Sequence, residues 1–338
     1  MKITIARLRS FVKYNGPLQT VLDSFFENYV QWMRANPHHE YKTYNVSFDK
    51  DKPKRTPEAI EWADIIVIAS DSEFRYHGEL QMNPKDLAKS ESHMEKIKPF
   101  FEGKTVIMWR SDRGDTEELY RSFLPGIKNF TTIDEIDPAF GANIHGMKFH
   151  FIQDAFKNPI SEAFADISKT TDFAYWGRLG KWSVESEKNL RERMIRKIYR
   201  SELSTVLIGG GYPSGVQRQA GWIKNWKILY PMLEPCRSTL AWNWRDPKAT
   251  SSRYIEALAM NMIPFVADQY DSESKYHIDD WQRIFTFEDF RDKVIKLRDP
   301  DFFKEKLEKI QLNFEQALLS KDEYYKAFSN LMNRGLKI

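Results

Sequence analysis

The stretch Ser251-Ser252-Arg253-Tyr254-Ile255-Glu256-Ala257-Leu258-Ala259-Met260-Asn261-Met262-Ile263-Pro264-Phe265-Val266-Ala267 predicts a helix feeding straight into a strand. Started near Ser251, the helix aligns Ile255, Leu258, Ala259 and Met262 at the i, i+3, i+4, i+7 spacing of a core stripe. The apolar run Ile263 to Ala267 follows at once and reads as a buried parallel strand. Arg253 and Glu256, three residues apart, share a face away from the stripe. They lie in the first turns, where free backbone N–H groups and the helix dipole favour an anion. An arginine suits a diphosphate and a carboxylate suits ribose hydroxyls, so the pair predicts a nucleotide-sugar grip. Taken alone, it reads first as a solvated ion pair on a helix surface.

The same rhythm recurs along the chain. In the first half, Lys2–Ala6, Tyr41–Val46, Asp64–Ala69, Lys104–Trp109 and Asn129–Ile133 read as strands, and Leu18–Ala35 as an amphipathic helix. In the second, strands are expected at Asp172–Tyr175, Thr205–Ile208, Ser238–Trp242, Ile263–Val266 and Ile284–Phe285. Helices are expected at Ser183–Arg200, Ser251–Met262, Phe287–Leu297 and Asp301–Leu319. Alternating strands and helices predict parallel sheets wound on both faces. The expected division is residues 1–160, completed by a final helix in 321–338, and residues 161–320. No Gly-x-Gly-x-x-Gly turn follows the first strand, so the first half is not expected to hold a dinucleotide.

At 338 residues the chain is long enough for two domains of ~150 residues, and 41% apolar with 14% aromatic residues supplies two cores. Its one cysteine, Cys236, excludes an internal disulfide and fits a reducing compartment. Lys2–Ala6 is too short, and too soon followed by Arg7 and Arg9, for a signal peptide. No run approaches the ~18 apolar residues of a membrane span. A soluble cytoplasmic protein with no membrane partner is expected. The net charge of +3 permits a polyanionic partner without demanding one. Arg191, Arg193, Arg196, Lys197 and Arg200 sit among glutamates on a helix-like segment and read as a solvated face. The seven histidines show no metal-ligand spacing, so no structural metal is expected.

Two doubly wound halves with a nucleotide grip in the second is the layout of a GT-B glycosyltransferase. Within that class the chain resembles the T-even phage DNA β-glucosyltransferase family. The resemblance is collinear over nearly the whole chain and rests on several stretches. They are Met1-Lys2-Ile3, Ile65 to Phe74, Val106 to Arg113, Lys169 to Gly177, the Arg253/Glu256 helix, and Asp268-Gln269-Tyr270-Asp271. It implies transfer of a sugar from a UDP-sugar to 5-hydroxymethylcytosine in duplex DNA, with inversion, in the cytoplasm of an infected bacterial host. A monomer is expected.

Asp112, just past the strand ending at Trp109, matches the family's catalytic aspartate. A general base there would take the proton of a hydroxymethyl group as its oxygen attacks the sugar carbon. The resemblance gives Arg253 the diphosphate and Glu256 the ribose, and has Gly177 admit the backbone close to the phosphates. Two further phosphate-binding arginines follow that glycine in the family; here Arg178 or Lys181 would substitute. Ile208-Gly209-Gly210-Gly211 resembles the turn whose backbone reads uracil, although a flexible turn is as natural a reading. Where the family has a sugar-contacting glutamate this chain has Gln19 or Thr20, so the sugar could differ from glucose, for example arabinose. Trp242-Asn243-Trp244-Arg245-Asp246 also departs from the family near the donor. Phe74 and Arg75 offer a stacking ring and a phosphate contact for a flipped nucleotide, and Arg110 and Arg113 could hold the DNA backbone. The family also implies Mg²⁺ or Mn²⁺ assisting departure of UDP. Two other readings stand beside this one: a GT-B enzyme acting on a protein, lipid or glycan, and a non-catalytic DNA-binding homologue.

Overall fold

The computed structural model describes residues 1–7, 29–45, 57–68, 101–110, 128–134, 149–150, 152, 169–178, 187–212, 215–221, 223, 226–242, 252–268 and 277–336. Among these, the strands form two five-stranded sheets, every pair parallel. The first sheet holds β1 (Lys2–Arg7), β2 (Glu40–Asn45), β3 (Ile65–Ile68), β4 (Thr105–Arg110) and β5 (Asn129–Asp134), in the order β2-β1-β3-β4-β5. The second holds β6 (Thr171–Arg178), β7 (Thr205–Gly210), β8 (Cys236–Leu240), β9 (Ile263–Ala267) and β10 (Arg283–Ile284), in the order β10-β9-β8-β6-β7. In each set the earliest strand lies between the second and the third. The chain therefore reverses its direction of travel across the sheet at β1/β3 and again at β6/β8. Open α/β sheets bind ligands outside the carboxyl ends of the strands at such a reversal.

Among the described residues, Met1 to Asp134 and those from Ser320 onward form one compact unit, and Phe149 to Leu319 form the other. The first unit carries α1 (Pro57–Trp62) and a helical segment at 29–35. The last helix packs on that segment: Phe328 meets the Tyr29 ring edge-on at 4.9 Å, and the Trp32 indole donates to Asn333 Oδ1 at 3.2 Å.

The second unit adds α2 (Glu187–Tyr199), α3 (Trp226–Leu233), α4 (Ser252–Ala259), α5 (Phe287–Lys296) and α6 (Pro300–Gln316), and α7 (Lys321–Leu336) is the last helix of the first unit. Strand alternation splits β6 between two cores. Phe173 and Tyr175 join Ile195, Ile198, Phe290 and Val294, whereas Ala174 and Trp176 join Leu229, Tyr230 and Leu233. The strand is thus buried on both faces, as its apolar sequence requires.

Two places defied the usual reading of proline. Helix α3 was not legible because Pro231 sits inside it; in so short a helix the missing N–H costs one ladder bond, and burial of Leu229, Tyr230 and Leu233 offsets it. Strand β9 carries Pro264 although it is flanked by β8 and β10. β10 begins its pairing only at Val266, so no strand faces the absent N–H. The Pro264 carbonyl instead accepts from the buried Gln282 Nε2 at 2.8 Å, and Gln282 Oε1 accepts from the Tyr254 hydroxyl at 3.3 Å.

At the amino end of β6, Asp172 is 2% exposed and gathers several donors. Arg298 reaches both carboxylate oxygens, at 3.1 and 2.9 Å, and Ser204 donates through its N–H at 2.8 Å and its hydroxyl at 3.0 Å. Burial pushes the carboxyl up, but hydrogen bonds from Arg298 and Ser204 together with the Arg298 charge outweigh it and hold the pKa below the ordinary 3.8. The stabilisation is complete above the unfolded carboxyl pKa and fades as pH falls through the folded one. Asp172→Asn should therefore lower stability at pH 7 by about 2 kcal/mol in urea unfolding, less than for a fully buried pair because the Arg298 side chain is 44% exposed. The gap between the two proteins should close as pH drops below 4 or so.

Candidate functional site

The reversal between β6 and β8 is occupied by one side chain from the first turn of α4. Arg253 Nη2 donates to the Trp176 carbonyl at 2.7 Å, and Nη1 lies 3.5 Å from the Leu240 carbonyl. Trp176 is near the carboxyl end of β6 and Leu240 ends β8, so the guanidinium bridges the two strand ends. Its Cζ stands 4.3 Å from the Tyr175 ring centroid and 5.3 Å from that of Trp176. Aromatic faces and carbonyl oxygens both favour the cation.

One turn along α4, Glu256 Oε2 accepts from the Trp176 indole at 2.7 Å. Trp176 thus holds Arg253 by its carbonyl and Glu256 by its side chain. The pair is not a solvated one, because Glu256 is only 3% exposed and Tyr254 to Leu258 are all buried. The reason is that α4 feeds both cores, Ile255 and Leu258 one and Ala257, with Met260 just past the helix end, the other. No helix face is left for water at Glu256.

The close approach depends on two paired glycines. Gly177 and Gly209 are partners in the β6–β7 register, with φ of +109° and +119°. A Cβ on Gly209 would stand 2.1 Å from the Gly177 carbonyl oxygen, and one on Gly177 would stand 3.1 Å from Arg253 Nη2. Both positions need glycine for backbone conformation and for space.

The turn after β7 is tied inward. Gly209 N–H donates to the Ala220 carbonyl at 3.1 Å, and its carbonyl accepts from Arg218 Nη1 at 2.7 Å. The Tyr212 hydroxyl lies 3.1 Å from the Tyr175 carbonyl and 3.0 Å from that of Ile208. Burial holds that phenol well above its ordinary range.

Arg191 departs from the solvated face expected for its cluster. It is 8% exposed, with its guanidinium carbon 5.9 Å from the Tyr175 ring, on which Arg253 also rests. Burial lowers its pKa; Tyr175 offsets this in part, and the Arg253 charge lowers it further. Two cations near one ring and partly withdrawn from water make this corner favourable for an anion. The signal was present in the spacing: Arg191 precedes Met194, Ile195 and Ile198 at i+3, i+4 and i+7, the stripe that α2 buries.

Arg253, Glu256, Gly177, Ile208 and Gly209 are therefore brought together, with Trp176, Tyr175, Tyr212 and Arg191 as members that the sequence did not single out. Arg178 ends β6 opposite Gly210, and Arg110 ends β4 opposite Asp134; the side chains of both lie outside the described residues. Asp112, Arg113, Gln19, Thr20, Phe74, Arg75 and Lys181 also lie outside them. In sequence, Asp112 and Arg113 follow the carboxyl end of β4, Phe74 and Arg75 that of β3, and Gln19 and Thr20 that of β1. Among the described residues no three His, Cys, Asp or Glu side chains gather as a metal set, and no helix is long and apolar enough to cross a membrane.

Solved structures of T4 phage β-glucosyltransferase are similar to this one over the full length of both chains. The complex with UDP and Mn²⁺ gives a TM-score of 0.57 at 14% identity, and the complex with UDP-glucose 0.57 at 12%. The fold is that of the GT-B glycosyltransferases. An α-glucosyltransferase in complex with UDP-glucose and DNA containing an abasic site is similar over 98% of both chains, with a TM-score of 0.55 and 12% identity. No family model and no curated protein matches the sequence.

The glycine pair of this GT-B chain makes a graded prediction. Gly209→Ala meets a backbone oxygen and must part β6 from β7, whereas Gly177→Ala meets the end of a flexible arginine. Thermal unfolding should show a clearly larger fall in Tm for Gly209→Ala than for Gly177→Ala, though both adopt positive φ. Equal falls would mean that the strand ends are not held as closely as the geometry requires.

Proposed function

We propose that the protein is a glycosyltransferase that moves a sugar from a UDP-sugar to a 5-hydroxymethylpyrimidine, 5-hydroxymethylcytosine first among them, in duplex DNA with inversion. The observation that carries this reading is the Arg253–Trp176–Glu256 arrangement at the β6/β8 reversal, in a fold shared with proteins solved with UDP and UDP-glucose. The DNA acceptor is supported by the α-glucosyltransferase solved with DNA and by the stretches of sequence that resemble the T-even phage family.

Arg253 binds the diphosphate through its fork of N–H donors and stabilises the charge that grows on UDP as it leaves. Arg191 supplies a second cation to the same group. Glu256 accepts from a ribose hydroxyl, with its carboxylate held in place by the Trp176 indole. Gly177 keeps the strand end bare so that phosphate oxygens can come close. Asp112 acts as general base. It removes the hydroxymethyl proton while that oxygen bonds to the anomeric carbon, and the bond from that carbon to the phosphate oxygen breaks with its electron pair going to UDP. A single displacement inverts the anomeric centre. An ion such as Mg²⁺ or Mn²⁺ belongs to the family's chemistry, but no three His, Cys, Asp or Glu among the described residues make a metal-binding set.

Nucleoside mass spectrometry, after incubation with a panel of UDP-sugars and either hydroxymethylated or plain duplex DNA, tests the reading. A hexose or pentose mass gain on the hydroxymethylated DNA alone is expected. No gain with any donor, while UDP still binds, would redirect the acceptor to a protein, lipid or glycan; no UDP binding would overturn the enzyme reading. Asp112→Ala should abolish transfer while UDP affinity stays within about twofold, and Arg253→Ala should weaken UDP by at least ~30-fold, the scale of a charge-assisted phosphate contact.

A further inference from the structure

Tyr175 meets both arginines of the corner at the β6/β8 reversal. Arg253, from α4, lies over its ring, with Cζ 4.3 Å from the centroid. Arg191, from α2, stands 5.9 Å from the same centroid and is hydrogen-bonded to the Tyr175 hydroxyl. The two contacts differ in kind: one is a cation on a π face, the other an N–H donated to a phenol oxygen. The side chain that makes them is itself fixed. Tyr175 is fully buried, its backbone runs in β6 between β7 and β8, and its carbonyl accepts from the Tyr212 hydroxyl at 3.1 Å. The Tyr212 ring meets it edge-on at 6.3 Å.

Two guanidiniums drawn to one ring repel each other, and the Arg253 charge adds to the burial that lowers the Arg191 pKa. An anion with more than one charge relieves that repulsion. We propose that Tyr175 is a positioning residue for the donor. Its hydroxyl holds Arg191 and its ring holds Arg253, so that one arginine from each helix is directed at the diphosphate. This rests on the UDP-sugar reading of the same site. Tyr175 touches no ligand atom itself, and its hydroxyl acts only through Arg191. An arginine side chain loses rotamer freedom when it is ordered on a ligand. One already held by a fixed phenol has lost much of that freedom beforehand, so the ligand binds more tightly.

Tyr175→Phe keeps the ring and removes the hydroxyl. Wild type, Tyr175→Phe, Arg191→Ala and the double variant are compared by calorimetric titration with UDP and with uridine, well below the lowest Tm of the four. Tyr175→Phe should weaken UDP about five- to tenfold, the worth of one hydrogen bond. Uridine, which lacks the diphosphate, should stay within about twofold. The double variant should bind UDP as Arg191→Ala does alone, because the hydroxyl has no other route to the ligand. Losses that multiply in the double variant would give the hydroxyl a role apart from Arg191. Unchanged UDP affinity in Tyr175→Phe would give it none, and a fall of uridine in step with UDP would make it a packing group of β6. Each of these overturns the proposal. Wild-type protein that does not bind UDP would overturn the UDP-sugar reading itself, whereas failure at Tyr175 leaves wild-type binding intact.

Discussion

Arg253 lies across the ends of β6 and β8 beside a strand end that carries no Cβ at Gly177, and β6 approaches β7 closely because none stands at Gly209. A side chain at Gly209 would drive the two strand ends apart, and one at Gly177 would press on the guanidinium. With both absent, the Trp176 carbonyl is reachable, and the same residue's indole is left to fix Glu256. The close approach of β6 to β7 and of Arg253 to β6 follows from that bare pair of strand ends.

Strand β6 joins two contrasting environments. At its amino end Asp172 is surrounded by donors that satisfy it, so the end is anchored to β7 through Ser204 and to the α5–α6 turn through Arg298. At its carboxyl end the guanidiniums of Arg191 and Arg253 lie near one ring, that of Tyr175, and the Arg253 charge adds to the burial that lowers the Arg191 pKa. The first arrangement stabilises and the second costs free energy in the absence of a ligand. That polarity is expected of a scaffold which holds a binding corner ready, with rigidity supplied far from the place where it is used.

The repeating strand and helix pattern was legible because each buried strand is a run of apolar residues bounded by turns, and Arg253 and Glu256 were legible as a pair near a helix start. Their environment was not. The spacing predicts one core stripe and an open face for Glu256, whereas α4 packs into two cores. Arg191 was grouped with its charged neighbours by composition, although its helical spacing put it on the buried stripe. Trp176 escaped notice because an aromatic in a buried strand ordinarily signals packing, and only the register beside α4 turns its carbonyl and indole into holders of the site. Helix α3 was hidden by Pro231, whose penalty in so short a helix is small. The strands that lead to Asp112, Phe74 and Gln19 were legible, and those residues rest on the resemblance alone.

A crystal structure of the protein with UDP bound would test the central claim most directly. The account predicts the diphosphate within hydrogen-bond reach of Arg253 and beside Arg191, with a ribose hydroxyl on Glu256. A diphosphate bound away from the β6/β8 reversal, with Arg253 still resting on the Trp176 carbonyl and no ligand near it, would contradict it.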